Sequence, residues 1–308
     1  MKIISIIAHI ILGALFIFSG ITKIIIIEPF EYKLVEQGIP WEYSLFLARF
    51  IIGIEWALGF LLLFYWNFNK KVWIATAIVL LGFTGILLID VVKGDTSNCG
   101  CFGEILPFTP VQGILKNIVF GFILFLAWKF FKPLNLKYKK LRVITSLILA
   151  IFFITLPFIV NSMNYKKSSE IYNRSDVFKL GLDTLYQQTE IQTPTQELRE
   201  GKYFIAYLSL TCPHCKVAAQ KLGIIQKQHP EFPMYIILNG PSELEEEFVT
   251  TNKIEHVPHY ILRNRKLFYA MAGYAVPTIY WVNNDSVYAS STHLDLNSKQ
   301  MEEWLKNH

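Results

Sequence analysis

The sequence predicts a chain in two parts, a helical membrane bundle of five spans followed by an α/β domain. Three observations carry that reading. Apolar residues make up 53% of the 308 and crowd into the first half, more than a wholly soluble protein carries. Five stretches there reach or approach the ~20 apolar residues that a spanning helix needs. The second half instead alternates short β-branched and aromatic runs with helix-forming segments.

The first span, Ile3 to Ile27, lacks a small-residue cleavage pattern and is read as a retained signal anchor. The others are expected at Ser44 to Trp66, Val72 to Val92, Val111 to Phe131 and Val143 to Asn161. They make up a membrane domain at residues 1–161, followed by a polar linker at 162–178 and a second domain at 179–308. In that domain, strands are expected at Lys202 to Ser209, Met234 to Leu238, Tyr260 to Leu262, Ile279 to Val282 and Ser286 to Ser290. Helices are expected at Lys216 to Gln228, Ser242 to Asn252 and Ser298 to Lys306.

Short loops rich in Lys and Arg stay in the cytoplasm. Lys70-Lys71 and the group Lys132, Lys137, Lys139, Lys140 and Arg142 therefore mark the inner face, which puts the N-terminus inside. Lys166-Lys167 run against the rule but are outnumbered. The mainly acidic loop 28–43 and loop 93–110 fall outside, and an odd number of spans exports the second domain. The expected location is a bacterial inner membrane with the C-terminal domain in the periplasm. The net charge of +5 is modest and sits at span ends, a topology signal that excludes nucleic acid as a partner and leaves the lipid bilayer.

All four cysteines fall in two close pairs, Cys99-Gly100-Cys101 and Cys212-Pro213-His214-Cys215. Both pairs are expected on the exported, oxidising side, where dithiols and disulfides can be exchanged. A Cys-x-x-Cys between a strand and a helix sets its first sulfur at a helix N-terminus, where unpaired N–H groups stabilise a thiolate. Cys212 is thus the candidate nucleophile and Cys215 the resolving thiol. Pro213 suits the first helical position, and His214 can add positive charge or a hydrogen bond. A structural disulfide, or half a zinc site completed by His256 and His259, is the competing reading. A disulfide across Cys99-Gly100-Cys101 closes a small, strained ring that is easily reduced. The same spacing also suits Cu(I), which leaves copper delivery open, as it leaves a non-catalytic membrane scaffold.

Within the spans, ionised side chains are costly and often functional. Glu55 is a candidate proton carrier or quinone-site acid, or else an acid paired in the bundle. Lys23 and Arg49 are expected to snorkel toward the surface. Asp90 is a candidate base for a loop thiol or a solvated helix end, and His9 a hydrogen-bonded bundle residue.

Cys212-Pro213-His214-Cys215 after a strand and Val276-Pro277-Thr278 before a terminal hairpin resemble the thioredoxin-like fold over about 179–308. The resemblance implies that Pro277 is cis and faces the cysteine pair, and that Val276 offers backbone hydrogen bonds to a bound thiol substrate. Thr211 stands where thioredoxins usually carry an aromatic residue, and Ala206 where a buried acid is expected. In the first half, Phe18-Ser19-Gly20-Ile21-Thr22-Lys23 with Glu28-Pro29-Phe30 resembles the DoxX-like membrane family. Asn98-Cys99-Gly100-Cys101-Phe102-Gly103 is similar to the loop of its MauE branch. These resemblances imply redox maturation of exported thiol or disulfide proteins by exchange between the two pairs. No cofactor is required, and quinone is open as a terminal partner.

Overall fold

The computed structural model describes residues 2–64, 70–132, 139–161, 177–187, 193–273 and 275–307. Most of the expected linker lies outside them. The chain divides into two compact units, Met1–Met163 and Asn164–His308.

The first unit runs α1 (Lys2–Ile25), α2 (Glu28–Glu36), α3 (Trp41–Leu63), α4 (Lys70–Val92), β1 (Cys101–Glu104), α5 (Pro110–Lys129) and α6 (Lys139–Val160). The five long helices among these are long and apolar enough to cross a membrane, as the sequence indicated. α1 packs on α3 and α5, α4 on α5, and α6 on α3. Small residues let α1 approach α3 closely: a Cβ on Gly13 would lie 2.7 Å from the Gly59 carbonyl oxygen, and one on Gly59 would lie 2.9 Å from that of Gly13. Leu12, Phe16, Leu58, Leu62, Phe120 and Leu124 fill the space between helices. Ile78, Leu81, Ile118, Phe122, Ile148 and Ile151 point outward and exposed, the surface a bilayer covers. The chain is a multi-pass membrane protein.

Where the sequence indicated an acidic loop after the first span, the chain folds as α2, with Pro29 in its first turn. Charges hold α2 to the bundle. Glu31 accepts a 2.6 Å bond from Arg49 of α3, and Lys33 lies 3.1 Å from Asp90 and 2.8 Å from Asp95. Arg49 is therefore buried and paired, also donating to the Asn161 carbonyl at 2.8 Å, and does not snorkel.

The second unit runs β2 (Phe178–Lys179), α7 (Asp183–Tyr186), β3 (Lys202–Ser209), α8 (Pro213–Gln228), β4 (Met234–Asn239), a 3-10 turn (Ser242–Leu244), α9 (Glu245–Thr251), β5 (His259–Ile261), α10 (Arg265–Ala272), β6 (Thr278–Asn283), β7 (Ser286–Ser291) and α11 (Ser298–Asn307). The sheet order is β2-β7-β6-β3-β4-β5. β3, β4 and β5 run parallel, while β6 and β7 return antiparallel. This mixed sheet, with a Cys-x-x-Cys helix leaving its central strand, is thioredoxin-like.

Alternation along β3 divides the core. Ile205 and Tyr207 join Phe268 and Met271 of α10 on one face. Phe204, on the other face, meets Trp281 at 5.1 Å and Trp304 of α11 at 5.3 Å between ring centroids. Burial on both faces makes β3 a rigid mount, and Cys212 follows its carboxyl end, where open α/β sheets place their binding crevice.

Candidate functional site

Cys212 is the N-cap of α8, in extended conformation (φ −88°, ψ 120°), and Pro213 occupies the first turn. The Cys212 carbonyl accepts from the N–H groups of Cys215 at 3.1 Å and Lys216 at 3.2 Å, closing the turn that separates the two sulfurs. Cys212 is half-buried and Cys215 fully buried. Burial pushes the Cys215 thiol well above its ordinary value, so it stays protonated at neutral pH. Of the two sulfurs, the accessible one is therefore that of Cys212.

Val276-Pro277 is a cis peptide bond. The Val276 carbonyl oxygen lies 3.9 Å from Cys212 Sγ, so the structure brings these two residues together. The neighbouring surface forms an open cavity of about 280 Å³ lined by Gly273, Ala275, Thr278, Tyr280 and Asp295 among others. His214 is exposed. His256 bonds the Gly223 carbonyl at 2.9 Å and His259 the Val257 carbonyl at 2.8 Å, so both serve local backbone.

Lys221 of α8 and His293, between β7 and α11, are brought together though no sequence motif singles them out. Lys221 stands seven residues after His214, two helical turns on, and is buried, donating to the His293 carbonyl. His293 is buried with no partner for Nδ1. Burial first, then the nearby Lys221 and His214 charges, lowers it to about 4. No sequence signal links the two, since 72 residues separate them.

In the first unit, the loop after α4 is built around its own side chains and glycines. The Asn98 carboxamide accepts from Gly100 N–H at 3.1 Å and donates to the Gly103 carbonyl at 3.0 Å. Gly100 and Gly103 both hold positive φ (68° and 59°), a region open to glycine. A Cβ on Gly103 would come within 2.6 Å of the Thr22 carbonyl oxygen, so the loop lies directly on α1. Cys99 N–H donates to the Phe108 carbonyl at 2.7 Å. Cys99 is buried and Cys101 half-buried.

Both sulfurs converge on the first turn of α5. A Cβ placed on Gly113 would lie 3.2 Å from Cys99 Sγ and 3.2 Å from Cys101 Sγ. That turn is fixed by a capping box: Thr109 accepts from Gln112 N–H and Gln112 accepts from Thr109 N–H at 2.9 Å. One turn deeper, the Lys116 ammonium lies over the rings of Phe102 at 4.8 Å and Phe120 at 5.2 Å. The two thiols are driven apart. A hydrogen bond from Cys99, outweighing the cost of burial and helped by Lys116 and Lys23, lowers Cys101 to about 6; Cys99 is raised correspondingly.

The Cys101 carbonyl accepts from Ser19 Oγ at 2.9 Å, and Ser19 opens a buried polar cluster. Lys23 donates to Ser19 Oγ at 3.2 Å and to the Glu55 carboxylate, which also accepts from Ser19 at 3.3 Å. Lys23 is 2% exposed and does not snorkel; it sits 5.0 Å from the ring centroids of Phe30 and Phe83. Of the two readings of Glu55, the paired acid describes its position. Asp90 is corrected on one count: it is 2% exposed, so it is no solvated helix end. Its carboxylate lies 3.1 Å from Lys33 and accepts from Gln37 at 2.5 Å, which ties α4 to α2. His9 donates from Nδ1 to the Ser5 carbonyl at 2.6 Å, the bundle role its sequence position indicated.

Residues 1–130 match the family described as methylamine utilisation protein MauE. The chain is 27% identical over 327 residues to Protein TlpB of Flavobacterium psychrophilum, covering 91% of this chain and 89% of that protein. Among solved structures, StoA from Bacillus subtilis aligns at 16% identity and a TM-score of 0.30, covering 42% of this chain and 96% of that one. A secreted Mycobacterium tuberculosis disulfide oxidoreductase homologous to E. coli DsbE aligns at 11% and 0.29, covering 35% and 82%. Residues 1–130 are thus similar to the MauE family, and they precede the unit whose mixed sheet and Cys-x-x-Cys helix are described above.

Proposed function

We propose that this protein is a membrane-bound thiol-disulfide oxidoreductase that relays electrons between Cys212/Cys215 and Cys99/Cys101 in the redox maturation of exported proteins. One observation carries the reading: a half-buried Cys212 caps α8 and faces the Val276 carbonyl, while Cys215 is sealed one turn behind it. That geometry offers one sulfur for attack and keeps the other for resolution.

A substrate thiol or disulfide approaches along the cavity beside Pro277 and exchanges at Cys212, with backbone groups of Val276 aligning the incoming chain. Pro213 holds the helix start, and His214 adds a positive charge beside the sulfurs when protonated. The membrane unit supplies the second pair as the next station. The unit bearing Cys212 lies in the periplasm of a bacterial inner membrane and the N-terminus in the cytoplasm, so both pairs share one aqueous face. No cofactor is needed for exchange between pairs. Quinone is the proposed terminal partner of the loop pair, checked by thiol-dependent quinone reduction with the purified protein.

The relay is tested by trapping. In a Cys215→Ser variant, Cys215 can no longer resolve a mixed disulfide at Cys212, and acid quenching before the other loop cysteine reverses it captures a bond between Cys212 and a loop cysteine. Capture of exported proteins alone, with no internal bond, would refute the relay while leaving Cys212 as an exchange site.

A further inference from the structure

We infer that the two loop cysteines have fixed and unequal roles: Cys101 is the exchanging sulfur, Cys99 the resolving one, and Lys116 the positioning residue that holds Cys101 as a thiolate. This rests on the thiol-exchange reading above and assigns the chemistry within it.

Burial separates the two sulfurs. Cys99 is 6% exposed and bonded through its N–H to Phe108, whereas Cys101 is half-buried, so Cys101 is the more accessible residue of the two. Lys116 favours a thiolate at either sulfur, and the hydrogen bond from Cys99 places it on Cys101. The groups facing the pair are Lys23 of α1, Glu55 of α3 and Lys116 of α5. Lys23 and Glu55 form a buried ion pair and cancel. Lys116 has aromatic faces beneath it and no carboxylate partner among the described residues. A cation held in a membrane domain without a counter-ion is costly, and an anion at Cys101 relieves that cost. Lys116 and the sulfurs also share one face of α5, because Gly113, which both sulfurs contact, lies three residues before it. Against this, the Cys101 N–H points at Cys99 Sγ at 3.4 Å and favours charge on Cys99, but one weak contact opposes a full positive charge.

The exchange then balances as follows. The Cys101 thiolate attacks Cys212 Sγ of an oxidised Cys212–Cys215 pair; the Cys101–Cys212 bond forms, the Cys212–Cys215 bond breaks, and the electron pair leaves on Cys215. Cys215 takes one proton, equivalent to the one Cys99 gives up. The Cys99 thiolate attacks Cys101, closing the loop disulfide and releasing the Cys212 thiolate. The reverse direction passes through the same Cys101–Cys212 intermediate.

Full-length protein carrying Cys212→Ser and Cys215→Ser, reduced and in lipid nanodiscs, is treated with iodoacetamide across pH 5 to 9, and each loop cysteine is quantified by mass spectrometry. Cys101 should be alkylated with a midpoint near 6, far faster than Cys99. Lys116→Met should move that midpoint to higher pH and slow Cys101 at pH 5.5, about tenfold for a midpoint one pH higher, while Lys116→Arg keeps the wild-type profile. Faster labelling of Cys99, or a Cys101 profile indifferent to Lys116→Met, overturns the assignment. The trap above fails independently: a Cys99–Cys212 bond refutes these roles but keeps the relay, whereas absence of any internal bond refutes the relay while the alkylation profile still judges the roles.

Discussion

At His293, whose carbonyl accepts from Lys221 two turns along α8 from the Cys-x-x-Cys motif, burial leaves a neutral imidazole whose Nδ1 has no partner among the described residues. Its value falls from 6.5 to about 4 on folding. The unfolded chain therefore binds the proton more readily, so the neutral imidazole contributes stability fully above about pH 6.5. That contribution is lost as pH falls through about 4. Each tenfold rise in proton activity across that window costs about 1.4 kcal/mol, on the order of 3 kcal/mol over the whole of it. Amide exchange in α11, which follows His293, should accelerate between pH 6.5 and 4 in the full-length protein, and His293→Gln should flatten that dependence. An identical slope in the variant would show that other groups govern the acid response. The cysteine pairs were legible in the sequence because spacing alone marks them. Lys23 with Glu55, Lys116 with Cys101, and Lys221 with His293 were not, since each partnership is made by helix packing or a loop return across many residues.

Among the elements, α5 carries the most consequential local choice. A glycine at position 113 in the first turns of a membrane helix weakens it, and alanine would ordinarily gain up to about 1 kcal/mol. Here a Cβ would sit 2.9 Å from Leu87 Cδ1 and 3.2 Å from both sulfurs, and overpacking of that kind typically costs about 1–3 kcal/mol. Gly113→Ala should therefore lower thermal stability and reduce the yield of the Cys212-to-loop bond in the Cys215→Ser background. A rise in stability with undiminished trapping would mean that the sulfurs do not rest on that turn. Local signals explain which elements the sequence made visible. The long spans and the strands of the central sheet announce themselves by length and by β-branched content. α10 begins with Asn264, whose side chain accepts from Leu267 N–H at 3.1 Å, and ends at Gly273 with φ 79°. Both are helix start and stop signals, but only 8 residues separate them, too few for periodicity to stand out. β2 has 2 residues and exists only because β7 pairs with it. α2 carries Pro29 in its first turn, yet its charged sequence reads as a loop until Lys33 and Glu31 find partners on α4 and α3.

For the whole molecule, joining the two cysteine pairs in one chain makes the proposed encounter between them intramolecular. Such a link supplies an effective concentration on the order of millimolar, against micromolar protein in a typical assay. The advantage is kinetic and belongs to the covalent link, not to either pair. Inserting a protease site between residues 162 and 176 and cleaving it before oxidant is added should make formation of the internal mixed disulfide second order. At about 1 μM protein its initial rate should fall roughly a thousandfold, the ratio of the two concentrations, while alkylation of Cys101 and Cys212 in the separated units stays unchanged. A rate that survives cleavage undiminished would show that the units hold each other by surface contact. One that vanishes together with Cys101 reactivity would show that the membrane unit needs the second unit to organise its loop.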